Sequence, residues 1–254
     1  MNILIVGYGI VGQNMRKIFN IADIYDPKKR RVKTRHDYFD LAFICVPTPK
    51  LGNGECDTSI VEQAILENKD RVKNFCIKST VPPGFTENII TSHPEHSICF
   101  SPEYFGGTQH ANNPGYNFLI VGGGKRACDV TIKAHKEVFT GSLKIFKTDS
   151  TTAELVKYGE NAWLGYKVSF VNEFKRICDQ FNVDFDNWRE MWLADPRINR
   201  SHTFVYNDKP FYDSHCLSKD IPAIIFASNK QGYKPELLEA MERYNNKHKA
   251  VKNG

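Results

Sequence analysis

The sequence predicts an α/β protein: a doubly wound, mostly parallel sheet, followed by an all-helical domain with a long central helix. Three observations carry this expectation. Apolar runs of strand length alternate with helical stretches through the first half of the 254 residues. A glycine-rich turn, Gly7-Tyr8-Gly9-Ile10-Val11-Gly12, joins the first such run to the first helical stretch. Beyond Asp149 the alternation stops and helical periodicity takes over. The expected domains are therefore residues 1–149 and 150–254.

Taken in order, strands are expected at Asn2–Val6, Ala22–Tyr25, Leu41–Val46, Phe75–Ser79, Ser97–Ser101 and Phe118–Gly122, with an edge strand at Leu143–Lys147. Runs such as Leu-Ala-Phe-Ile-Cys-Val are apolar on both faces, as strands covered by helices on each side should be. The intervening helices are expected near Gly12–Phe19, Ser59–Arg71, Phe85–Ser92 and Arg126–Phe139. The cap signal Asp149-Ser150-Thr151-Thr152 then opens a helix to about Phe181. In it Leu155, Trp163, Leu164, Val168, Val171, Phe174 and Ile177 recur at helical spacing. A helix of this length suits a spine between domains or an oligomer contact. Further helices are expected at Phe185–Leu193, from Ser218-Lys219-Asp220-Ile221-Pro222 onward, and at Pro235–Lys249, with the irregular polar segment Asp195–Ser214 between the first two.

Composition excludes several classes. The net charge is only +5 and the basic residues are scattered. The one local run, Lys28-Lys29-Arg30-Arg31 with Lys33 and Arg35, is expected to be a solvated loop; without interleaved aromatics it gives nucleic-acid binding little support. No apolar stretch approaches a membrane span. Met1 runs directly into the first strand, leaving no room for a secretory leader, so a cytoplasmic protein is expected. The seven cysteines (Cys45, Cys56, Cys76, Cys99, Cys128, Cys178, Cys216) are odd in number and form no CxxC pair. Reduced, mostly buried thiols are expected, with neither a disulfide framework nor a metal site.

A lone GxGxxG is weak evidence, but here it follows a strand and opens a helix. Gly7 permits the tight turn, Gly9 lets the backbone approach a pyrophosphate, and Gly12 lets helix pack close to strand. The N–H groups of Ile10, Val11 and Gly12 would then face the phosphates. Asp26, ending the second strand, can accept both ribose hydroxyls and would repel a 2′-phosphate. The domain thus reads as a Rossmann unit for NAD, the basic run after Asp26 leaving NADP open. Val46-Pro47-Thr48-Pro49 and Ser79-Thr80-Val81-Pro82-Pro83-Gly84 lie at carboxyl ends of strands, where such sheets bind ligands, and serve either as stiff turns or as cofactor contacts.

Four features remain. Glu103 follows a strand in Ser101-Pro102-Glu103-Tyr104. Lys157 and Asn161 share one face of the long helix. Arg197 lies in Asp195-Pro196-Arg197-Ile198, and Cys216-Leu217-Ser218-Lys219-Asp220 opens a helix. Each alone is ordinary. Together with the segments above, with Ala153-Glu154-Leu155-Val156-Lys157-Tyr158-Gly159-Glu160-Asn161 and with Val171-Asn172-Glu173, they resemble the UDP-glucose/GDP-mannose dehydrogenase family in order and spacing over nearly the whole chain.

The resemblance implies NAD-dependent oxidation of a nucleotide-sugar C6 alcohol to a carboxylate in two hydride transfers, UDP-glucose being the first choice of substrate. It implies Cys216 as nucleophile, passing through a thiohemiacetal and a thioester. A helix N-terminus and Lys219 both favour thiolate there. Lys157 and Asn161 would stabilise the oxyanion. Asp220, with Thr80 placing a water, would move protons, and Glu103 would serve in thioester hydrolysis. Cofactor contacts are expected from Gly7, Gly9, Ile10, Val11, Gly12, Asp26, Val46, Pro47, Thr48, Thr80 and Lys219. Substrate contacts are expected from Glu103, Tyr104, Lys157, Asn161 and Arg197. In the family the residue resembling Arg197 reaches a substrate on the neighbouring subunit, which implies a homodimer, expected through the long helix near 150–181.

The sequence departs from the family at several points. After the cysteine-bearing helix it has no equivalent of the family's third, nucleotide-clamping domain, so a short form is expected. Phe211-Tyr212-Asp213-Ser214-His215 stands in place of a glycine-rich loop and is expected to narrow the sugar pocket. His215 is either a helper of the thiol or a surface residue. Gly107 replaces a second glutamate, and Ser218 a proline. Two rivals remain: a β-hydroxyacid dehydrogenase-like enzyme making one hydride transfer, and a non-catalytic NAD-binding subunit completed by a partner chain.

Overall fold

The computed structural model describes residues 1–26, 28, 31–105, 117–139, 141–214 and 216–253. Its described residues divide into two compact units, the first running to Tyr158 and the second beginning at Gly159.

The first unit is built on one eight-stranded sheet. Its strands are β1 (Ile3–Val6), β2 (Asp23–Asp26), β3 (Arg31–Lys33), β4 (Leu41–Ile44), β5 (Asn74–Ile77), β6 (Ser97–Phe100), β7 (Phe118–Gly123) and β8 (Lys144–Thr148), in the order β3-β2-β1-β4-β5-β6-β7-β8. The five central strands, β2-β1-β4-β5-β6, are parallel. Helices α1 (Ile10–Ile18), α2 (Ser59–Leu66) and α3 (Phe85–Ser92) connect strands of this set, and α4 (Lys125–Val138) links β7 to β8. Two apolar clusters lie against the sheet. Leu4, Val6, Ile44, Phe75 and Ile77 pack with Val61, Ile65 and Ile89. The alternate residues Ile3, Ile5, Phe43, Cys76 and Cys99 pack with Met15, Ala127 and Ala134. This period-two sorting onto two covered faces is why the strands read as continuous apolar runs.

The basic run departs from expectation. Arg31–Lys33 are not a solvated loop but form β3, paired antiparallel to β2 with Asp26 opposite Arg31. A charged strand is tolerated at a sheet edge, where it discourages further pairing. Lys29 and Arg30 lie outside the described residues. The edge strand expected at Leu143–Lys147 is β8, parallel to β7, whereas the antiparallel pairing of β7 with β6 had no signal in the sequence. α2 stops at Leu66, five residues before the expected Arg71. The Asn68 side chain turns back to donate to the Ala64 carbonyl at 2.7 Å and accepts from Arg71, giving the backbone an alternative to the helix.

Helix α5 (Ser150–Gln180) spans 31 residues and carries residues of both units. In the second unit Val171, Cys178 and Phe185 form a core with Phe170, Phe174, Trp188 and Trp192, the last two from α6 (Phe185–Trp192). A second core joins α5 to α7 (Leu217–Lys230) and α8 (Glu236–Asn253) through Tyr212, Leu217, Ile221 and Met241. Gly165 makes that packing possible, since a Cβ there would stand 2.5 Å from the Ile221 side chain. Not all of the apolar stripe is covered: Leu155, Trp163 and Ile177 are exposed. Among the described residues, no helix is long and apolar enough to cross a membrane.

Candidate active site

The first unit places the glycine turn between β1 and α1, beside the point where strand order reverses. Gly7 has φ +90°, and a Cβ on Gly12 would meet the Gly7 carbonyl oxygen at 2.0 Å. By contrast, nothing lies within 4 Å of where a Gly9 Cβ would stand. α1 opens at Gly9 with no side-chain cap and no acidic residue in its first turn. That combination fits a dinucleotide: open space at Gly9, and a positive helix end with the N–H groups of Ile10, Val11 and Gly12 uncontested by a carboxylate. Asp26 is buried at the end of β2 and accepts from the Tyr8 N–H at 2.7 Å. The carboxylate thereby also ties the glycine turn to the adenosine side of the expected site.

Val46, Pro47 and Thr48 follow β4, and Lys78-Ser79-Thr80 follow β5. The two loops are sewn together. Thr48 Oγ1 donates to the Thr80 carbonyl at 2.8 Å, and Ser79 Oγ donates to the Val46 carbonyl at 2.6 Å. Thr80 and Thr48 are both buried. The loop continues into α3, whose N-terminus has no local cap. Its cap comes from α5: Glu154 accepts from Gly84 N at 2.6 Å and from Thr86 N at 2.9 Å. Burial pushes the Glu154 carboxyl up to about 7, against the opposing pull of the Thr86 and Gly84 N–H donors.

Three residues on, Lys157 points to Glu103, with Nζ 3.7 Å from Oε1 and both side chains at most 7% exposed. The Lys157 ammonium also lies 5.2 Å from the centre of the Tyr104 ring. Glu103 Oε2 accepts from Phe105 N at 2.8 Å. Lys157, Glu103 and Tyr104, expected together, are together.

In the second unit Asn161 Nδ2 donates to Asp220 Oδ2 at 2.6 Å, both residues buried. Lys219 Nζ donates to the other oxygen of Asp220. Cys216 is the exposed thiol of the seven, the other six being buried, and it forms the N-cap of α7. Its carbonyl accepts from the N–H groups of Lys219 and Asp220, closing the first turn. Lys219, expected to favour the Cys216 thiolate and to touch cofactor, donates its ammonium to Asp220. Arg197 is solvent-exposed and grips Asp195 in a fork, Nε to Oδ1 at 3.0 Å and Nη2 to Oδ2 at 2.6 Å, in the described chain.

Phe211 and Tyr212, expected to narrow a sugar pocket, turn inward. Tyr212 is buried, its hydroxyl donates to Glu242, and its backbone is clamped by both ends of the Asn245 amide. Asp213 pairs with Lys249. For Tyr212 the physical reason is that α8 offers it Met241 as a core neighbour and Glu242 and Asn245 as polar partners. His215 and Gly107 lie outside the described residues. Among the described residues no cluster of His, Cys, Asp or Glu is arranged to hold a metal.

Sequence reasoning gave no role to Lys78 or Glu154. A charge ending the buried run Phe75-Cys76-Ile77-Lys78 was the signal for the first. Glu154 carried none, since a helical glutamate reads as solvated.

Residues 28–140 match the NAD binding domain of the UDP-glucose/GDP-mannose dehydrogenase family, and residues 151–247 match its central domain. The first match begins past Asp26, so the glycine turn is supported by its geometry alone. The chain is 32% identical over 215 residues to a UDP-glucose 6-dehydrogenase of Rickettsia bellii, covering 81% of this chain and 49% of that one. It is also 32% identical over 219 residues to a UDP-N-acetyl-D-mannosamine dehydrogenase of Methanococcus vannielii, covering 80% and 48%. It thus spans about half the length of these relatives. The solved UDP-D-ManNAc dehydrogenase of Pyrococcus horikoshii shares the fold, with a TM-score of 0.80 at 23% identity over 99% of this chain and 69% of that one.

Proposed function

Because the chain belongs to the UDP-glucose/GDP-mannose dehydrogenase family, we propose that it oxidises the C6 alcohol of a nucleotide sugar to the carboxylate, with UDP-glucose as first candidate substrate. NAD is the cofactor of its first domain, and when bound it supplies the hydride acceptor. The observation that carries the reading is the polar cluster at the head of α7: buried Asn161 and Asp220, 2.6 Å apart, with Lys219 on Asp220 and the exposed thiol of Cys216 four residues before it.

Each residue is assigned one task in this reading. Asp220 accepts the proton of the C6 hydroxyl as hydride leaves carbon, and its carboxylate is held for this by Asn161 and Lys219. The Cys216 thiolate, favoured at a helix N-terminus, adds to the aldehyde carbon and forms a thiohemiacetal. Lys157 and Asn161, one helical turn apart on α5, offer N–H donors to the developing oxyanion. Loss of the second hydride leaves a thioester at Cys216. Water, oriented by Thr80 and deprotonated by Glu103 or Asp220, hydrolyses it. Overall, the alcohol, one water and two NAD+ give the carboxylate, two NADH and three protons.

The site roles of Gly7, Gly9 and Asp26 toward the cofactor, and of Tyr104 and Arg197 toward the substrate, belong to the same proposal. The uncovered apolar side chains of α5, with Phe181 75% and Met191 62% exposed beyond them, support a homodimer through this helix, with Arg197 reaching the neighbouring substrate. The mostly buried thiols suit a cytoplasmic enzyme.

Purified protein is assayed with NAD+ and UDP-glucose, UDP-N-acetylmannosamine or GDP-mannose, counting NADH per sugar. Two NADH per sugar, abolished in Cys216→Ala, is the expected result. One NADH with Cys216→Ala still active would instead indicate single hydride transfer of the β-hydroxyacid dehydrogenase kind. No turnover with intact NAD binding would leave a cofactor-binding subunit that a partner must complete.

A further inference from the structure

Lys78 is a buried ammonium that the chemistry above does not use. It continues β5 past Ile77, and its side chain is 4% exposed. By strand alternation it shares a face with Cys76, and its charge is felt by the buried groups on that face, Cys45, Cys76 and His135. A lysine is seldom wholly buried unless paired, because stripping water from an ammonium costs several kcal/mol. Yet its described partners are neutral oxygens, Ser101 Oγ at 3.0 Å and the Pro102 carbonyl at 3.4 Å.

Both partners belong to the turn that presents Glu103. The sheet stops supporting this turn at Ser101, whose N–H makes the last bond, to the Ile77 carbonyl at 3.0 Å. Pro102 has no N–H with which to continue. From there the turn is held by Lys78 on one side, and by the Glu103 carboxylate meeting Phe105 N and Lys157 on the other. The buried thiol of Cys45 is influenced by the charges of both Lys78 and Glu103, so both lie within electrostatic reach of one sulfur. Lys78 thus holds the start of the turn that presents Glu103, while Lys157 meets the carboxylate itself.

We propose that Lys78 is the positioning residue for Glu103: it anchors the Ser101-Pro102 turn and balances the Glu103 charge, so that this carboxylate faces Lys157. This rests on the proposed role of Glu103 only for its catalytic consequence. Glu103 in turn is what makes a buried ammonium tolerable at the end of β5. An apolar side chain would fill the same space but would leave the Pro102 carbonyl without a donor and Glu103 with one cation.

The test is a double-mutant cycle on the full chain with Lys78→Met and Glu103→Gln, read by thermal unfolding and by NAD binding. Glu103→Gln alone, which removes the carboxylate that Lys157 meets and the charge at the end of the turn Lys78 anchors, is expected to lower Tm by about 5 °C. In the Lys78→Met background the same change is expected to cost under about 2 °C, because one stranded charge is already gone. Affinity for NAD should stay within about twofold in Lys78→Met, whose site lies outside the glycine turn. Additive Tm losses would overturn the proposal. Should Lys78→Met not fold, Lys78→Gln, which keeps a donor without the charge, replaces it in the cycle. Where turnover is measurable, Lys78→Met lowers kcat with KM for NAD unchanged, and gives no further loss on Glu103→Gln; independent losses in kcat would also overturn it. Coupling in Tm without turnover on any sugar would sustain the Lys78–Glu103 link while removing the catalytic reading.

Discussion

Replacing Glu154 by Gln tests how the loop carrying Thr80 is fixed to the helix carrying Lys157. Glu154 is fully buried and accepts from Gly84 N at 2.6 Å and Thr86 N at 2.9 Å. Glutamine keeps one acceptor oxygen but turns an NH2 toward the second N–H. One buried donor is then unsatisfied, at a cost of about 2 kcal/mol, or a Tm lower by about 4–8 °C for a chain of this size. That cost depends on pH. Burial raises the wild-type carboxyl from 4.5 to about 7, so between these values the native state holds a proton that the unfolded chain has released. Its contribution to stability is complete below the unfolded value and is lost as pH rises through 7, by about 3 kcal/mol in total. Glutamine does not titrate. Thermal unfolding followed by circular dichroism at pH 5, 6.5 and 8 should therefore show the variant below wild type at pH 5 and level with it or slightly above by pH 8. A deficit that is constant or grows with pH would refute the reasoning.

Two other perturbations follow from single distances. Gly12→Ala drives a Cβ to within 2.0 Å of the Gly7 carbonyl oxygen, which only a backbone shift of α1 can relieve; a loss of about 2–3 kcal/mol in stability and at least tenfold in NAD affinity is expected, by denaturation and fluorescence titration. Unchanged NAD affinity would mean that the close contact of helix and turn does not shape the cofactor site. His135, buried edge-on to Phe19 and Phe43, has its pKa pushed down to about 3 by burial and by the Lys78 charge. The stability it contributes is present above pH 6.5 and lost as pH falls toward 3, so His135→Phe should flatten wild-type acid unfolding over that window by about 5 kcal/mol. Identical acid midpoints relative to neutral stability would contradict this.

What was legible in the sequence was what local patterning can carry. Runs apolar on both faces marked five parallel strands and their crossover helices. The i, i+4 spacing put Lys157 and Asn161 on one helix face, and the glycine turn's context marked the cofactor end of the sheet. Mostly buried thiols were expected, and six of the seven are buried, Cys56 among them despite its polar neighbours Glu55 and Asp57.

Tertiary structure alone decided who satisfies whom. Glu154 caps a helix 68 to 70 residues earlier, Asn161 finds Asp220 59 residues later, and Lys78 reaches Ser101 across a neighbouring strand. Tyr212 lies inward because α8 offers Glu242 and Asn245, and Arg31–Lys33 form a strand because β2 had an unpaired edge. Periodicity and turn chemistry act over a few residues, so a sequence displays them directly. The partner of a buried charge is chosen by desolvation, which depends on every element packed around it and is fixed only when the chain has folded.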